Sequence, residues 1–161
     1  MSRIFQFNHR LGEFIGKSLS WLVLFMMLIS CAVVLLRYGF HQSSTAMQEL
    51  LLYLHGCMFL LGAAYTLQCD EHVRVDIIYR FFNQRQKAWV DISGTIFFLI
   101  PFCIFLVYFS WQFFHSAWLM KEGSPEPGGL PWVYWLKGLI PLGFSLLLLQ
   151  AVSLMFLLIL L

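Results

Sequence analysis

Residues able to do chemistry gather in three places. The stretch "DEHVRVDIIYRFF", residues 70–82, carries two Asp, one Glu, one His and two Arg within thirteen residues. Glu49 and His55 lie in otherwise apolar sequence. The segment "KEGSPEPGGLPWVYWLKG" sets Glu122 and Glu126 among Pro125, Pro127 and Pro131. A carboxylate inside an apolar run can bind a coupling ion or relay a proton. Two His at equal depth on facing helices can hold a haem. The other histidines, His9, His41, His72 and His115, are scattered, and only His55 falls well inside an apolar run. No H-E-x-x-H, G-x-S-x-G or P-loop pattern occurs. No catalytic residue, metal site or cofactor is therefore assigned, and the chain is expected not to be an enzyme. Glu49 and His55 are read as buried polar groups. Glu49, near one end of its run, is hydrated or paired with Arg37, and His55 is an interhelical hydrogen-bond partner.

The elements that must position these residues are set by composition. Of 161 residues, 60% are hydrophobic and only 11% charged, against roughly 25% charged in soluble domains. A core of this size cannot hide 17 Phe and 6 Trp. The chain is expected to be an all-α integral membrane protein forming a single membrane domain over 1–161. A net charge of +2 without a basic stripe excludes nucleic acid as a partner. Cys31, Cys57, Cys69 and Cys103 form no C-x-x-C pair and are read as small buried hydrophobes. The first apolar run follows Lys17 without an A-x-A-like site, so it is expected to be a retained helix.

About 20 apolar residues cross a bilayer core. Four spans are expected, over about 19–38, 46–69, 92–118 and 136–161. Pro101 and Pro141 within the last two should each cause a kink or occupy a first turn. Four spans place both termini on one side. Seven Lys/Arg (Arg3, Arg10, Lys17, Arg74, Arg80, Arg85, Lys87) share that side, and three (Arg37, Lys121, Lys137) lie opposite. This division predicts cytoplasmic N- and C-termini. Trp111, Trp118, Trp132 and Trp135 cluster at the other interface.

Ile4, Phe7, Leu11, Phe14 and Ile15 repeat at helical spacing with Arg3, Gln6, Arg10, Glu13 and Lys17 opposite. That pattern predicts an interfacial helix over 1–17. Val73, Ile77, Ile78, Phe81 and Phe82 form a similar stripe, with Asp76 and Arg80 four apart in the favourable order. A short cytoplasmic amphipathic helix is expected there, joining spans two and three. The same residues also read as a plain topology signal. Gly56, Gly62 and Ala63 give span two a small-residue surface for close helix packing, within this chain or against another.

The stretch "HVRVDIIYRFF" resembles the His-Ile-Arg-Val-Asp signature of the small membrane subunit of tripartite ATP-independent periplasmic (TRAP) transporters. "RYGF", "FLLGAAYTLQCDEHVRVD" and "SPEPGGLPWVYWLKGLIPLGFSLLLLQ" follow the order found in that family. The last most resembles the mannitol/chloroaromatic branch. The likeness covers about residues 35–150. Many relatives carry Trp-x-Glu-Glu near the start of span two, where this chain has "AMQEL", leaving Glu49 alone.

The resemblance implies an accessory permease subunit of a sodium-coupled secondary transporter in the bacterial inner membrane. A larger membrane subunit would carry the sodium and organic-acid sites, and a periplasmic binding protein would deliver the substrate. This chain would extend the scaffold and help dock the binding protein. His72, Arg74, Asp76 and Arg80 would fix its cytoplasmic end through one another, lipid headgroups or the larger subunit. The restricted loop with Glu122, Glu126, Gly128, Gly129, Pro131 and Trp132 would offer the docking surface. The competing classes are a free-standing small membrane transporter and a membrane anchor of a redox complex.

Overall fold

The computed structural model describes residues 3–69 and 81–160, without the side chains of 3–9, 11, 68 and 157–160. Among them the only regular structure is helix: α1 (Arg3–Gly39), α2 (Thr45–Gln68), α3 (Gln84–Gly94), α4 (Ile100–Met120) and α5 (Val133–Leu160). Four stretches are long and apolar enough to span a membrane: Gly12–Gly39, Thr45–Leu67, Gln84–Met120 and Val133–Phe156. A bilayer leaves no water for unpaired backbone groups, so helices are the form such runs must take.

The separate helix expected over 1–17 is not shown as an element of its own. Residues 3–39 make one helix, because nothing at Gly16–Ser18 stops it. Gly16 instead gives α1 a close approach to α2, where a Cβ would lie 2.6 Å from the Tyr65 ring. The expected amphipathic helix between spans two and three falls on residues 70–80, outside the described residues. Phe81 and Phe82 form a turn and bend before α3. The helix that carries the third span begins at Gln84, ahead of the Ile92 expected for the span itself. Its start is fixed by Asn83, whose backbone N–H donates to Gln86 Oε1 at 2.9 Å.

Residues Thr95–Leu99 form a π-helical turn joining α3 to α4. That turn leaves Pro101 in the first turn of α4, where a missing N–H has little effect. Thr95 supports the junction by donating from Oγ1 to the Asp91 carbonyl at 2.7 Å. Pro141 lies inside α5, where Ser145 Oγ donates to its carbonyl at 2.6 Å.

Helix α5 packs against both α4 and α2, and α1 packs against α2. Burial concentrates where α2, α4 and α5 meet, around Leu67, Cys103, Leu147 and Ala151. Of the four cysteines only Cys103 is buried; Cys31 and Cys69 are exposed, contrary to the expectation for all four. Close approach at the other contacts depends on absent side chains. A Cβ on Gly143 would lie 2.9–3.2 Å from Leu60 Cβ and its carbonyl. Lipid supplies no hydrophobic drive between helices, so such intimate packing is what holds them together.

Candidate functional site

Helix α2 starts at Ser44, whose side chain accepts from the Met47 N–H at 3.4 Å. This start sets Glu49 in the second turn, level with the loop between α4 and α5. Helix α4 ends on Lys121, a non-glycine residue at φ 50°, ψ 47°. Left-handed backbone costs such a residue about 1–2 kcal/mol. The turn is held by two backbone bonds, Lys121 N–H to Trp118 O at 3.3 Å and Glu122 N–H to Ala117 O at 3.0 Å. The Lys121 ammonium lies 3.8 Å from the centre of the Trp118 ring.

From there the chain folds back on itself. Ser124 N–H donates to Leu130 O, and Gly129 N–H to Glu126 O, both at 3.0 Å. Ser124 Oγ accepts the Glu126 N–H at 3.1 Å. Gly128 turns the chain at φ 76°, a conformation that favours glycine. Glu49 closes this loop from outside it. Its Oε1 accepts from Ser124 Oγ, and its Oε2 accepts from the Leu130 N–H at 2.6 Å. Bonds to an ionised acceptor are about twice as strong as neutral ones. Gly129 leaves room for this carboxylate, since a Cβ there would lie 2.7 Å from Glu49 Oε1.

The sequence singled out Glu49 and the loop separately; the fold joins them. Arg37, the cation weighed as a partner for Glu49, does not supply its hydrogen bonds, which come from Ser124 and Leu130. Both carboxylate oxygens are thus engaged by the loop. His55 is exposed rather than buried. Glu122 pairs with Lys137 at 2.5 Å, so it is occupied within the chain. Glu126, Gly128, Pro131 and Trp132 face outward and are exposed, Trp132 at 50%. Behind them, Trp118 meets the Tyr134 and Trp135 rings edge-on at 5.3 and 5.6 Å. That aromatic cluster gives the loop a firm base.

The small residues of span two serve this chain's own helices. Gly56 faces Leu136 of α5, and Gly62 faces Leu19 of α1, at 3.1 and 3.5 Å from their would-be Cβ positions. Ala63 packs against the central cluster. His72, Arg74, Asp76 and Arg80 lie outside the described residues. What sequence reasoning missed is the bond between Glu49 and the loop. The available clue was depth: Glu49 lies near the end of its span that is level with the loop bearing Ser124.

The family model described as "Tripartite ATP-independent periplasmic transporters, DctQ component" matches residues 26–160. The match takes in Glu49, the charged stretch and the whole loop. No curated protein and no solved structure matches.

Proposed function

Since the chain belongs to the DctQ component family of tripartite ATP-independent periplasmic transporters, the small component of such a system, we propose that it is a non-transporting scaffold and docking subunit. The family works with a large membrane subunit and a substrate-binding protein. In this reading the large subunit carries sodium and an organic acid across the inner membrane. This chain holds still beside it, with both termini in the cytoplasm and the Gly123–Trp132 loop in the periplasm. The loop sequence supports the mannitol/chloroaromatic-like branch. His72, Arg74, Asp76 and Arg80 anchor the cytoplasmic end.

One observation carries the docking role. A loop tied back onto the fold presents Glu126 and Trp132 to the outside, while Ser124 and Glu122 bond within the chain. A restricted loop loses little entropy on binding, and an exposed Trp beside a charge is a usual composition for an anchor. The free-standing transporter is less well supported, because the carboxylate it would use is taken up by the loop. Reconstitution tests the division of labour. Proteoliposomes holding this chain and the large subunit should take up substrate when binding protein and a sodium gradient are supplied. Uptake by this chain alone, or full uptake by the large subunit alone, contradicts the proposal.

A further inference from the structure

The Tyr53 hydroxyl is buried and has no hydrogen-bond partner among the described residues. A buried polar group in that state lowers stability, so native proteins rarely keep one without a reason. Tyr53 follows Glu49 by four residues on α2, which puts both on one face. Helical side chains lean toward the N-terminus, and this carries the Tyr53 ring toward the turn that bears Glu49. Yet the carboxylate accepts its hydrogen bonds from Ser124 Oγ and from the Leu130 N–H.

We propose that Glu49 is a two-position latch: it holds the 124–130 loop in the arrangement seen, and Tyr53 replaces Ser124 and Leu130 as its donor when the loop lets go. The exchange explains why a donor is kept unused inside the fold. Releasing the loop without Tyr53 would leave a part-buried carboxylate without either of its present donors. With Tyr53 the second state is only modestly less favourable, and a partner that binds one loop shape better than the other can shift the balance. Glu49 and Tyr53 are positioning residues; neither touches the partner. The consequence for transport rests on the docking role proposed above, because the latch sets the shape that the binding protein meets.

Hydrogen exchange at the Leu130 amide reads the latch directly, in the purified complex with the large subunit and without binding protein. Exchange there reports how often the loop opens. Glu49→Gln should speed it by about tenfold or more, since a charged acceptor is lost. Tyr53→Phe should slow it by about threefold, since the open state loses its donor. An unchanged rate in Glu49→Gln overturns the latch, and so does an unchanged or faster rate in Tyr53→Phe. Exchange at Leu147, in the buried centre, should stay constant; should Glu49→Gln raise it by disturbing the fold, Tyr53→Phe alone decides. Titrating binding protein into transport assays separates the two ideas. If exchange responds in both variants but neither Glu49→Gln nor Trp132→Ala changes the half-saturating concentration, the latch stands and the docking role fails. If Trp132→Ala raises that concentration while exchange does not respond, docking stands and the latch is overturned.

Discussion

At the loop between α4 and α5, polar groups are matched inside the chain. Glu49 takes two donors, Ser124 both donates and accepts, and Glu122 takes Lys137. Along α4 the opposite holds. Phe102, Phe105 and Phe109 repeat at helical spacing and are 55, 56 and 53% exposed. Phe105 and Phe109 meet each other at 4.5 Å, on the outside of the fold. The loop holds the arrangement seen through directional bonds that few substitutions preserve. The α4 face is suited to lipid tails or another apolar helix, where area counts more than geometry. The first region is thus suited to recognition by shape and the second to bulk apolar contact.

Substitutions in each region put this contrast at risk. Gly129→Val should have the larger effect. Its side chain would enter the space held by Ser124 and the Glu49 carboxylate. Overpacking together with displaced part-buried hydrogen bonds should lower stability by about 1–3 kcal/mol. Thermal unfolding of the purified chain in detergent measures it. A loss near zero would mean that the loop is far more pliable than its bonding implies. Phe105→Ala combined with Phe109→Ala should have the smaller effect. Although it removes two aromatic rings, neither lies inside the fold, and the same unfolding should shift by less than about 0.5 kcal/mol. A shift as large as that of Gly129→Val would erase the distinction between the two surfaces.

Much of this was legible in the sequence, and the reasons for the remainder are physical. The four apolar runs had to be spanning helices, because their length and lack of charge leave no alternative in lipid. The continuity of α1 was not readable. The amphipathic pattern of residues 4–15 fits an interfacial helix and the leading turns of a longer one equally well, and no Pro marks a boundary. The role of Gly16 against Tyr65 is likewise a tertiary fact. The bond from Glu49 to Ser124 joins residues 75 apart in sequence, and no periodicity reports a contact at that separation. His55 shows the converse error: its depth in the run was visible, but which face of α2 points inward was not.

Titration of the binding protein into transport assays tests the docking claim most directly. Proteoliposomes carrying the assembled membrane complex would be compared with the same complex bearing Glu126→Lys, and with a Glu122→Gln control that touches only the internal pair with Lys137. Reversing the exposed charge at 126 should raise the half-saturating concentration of binding protein by about tenfold at low salt, and by less as salt shortens the Debye length toward about 3 Å at 1 M. The limiting uptake rate and the integrity of the complex should not change, and the control should titrate like the unaltered complex. If Glu126→Lys leaves the half-saturating concentration where it was, with the complex intact, the loop is not the surface on which the binding protein docks.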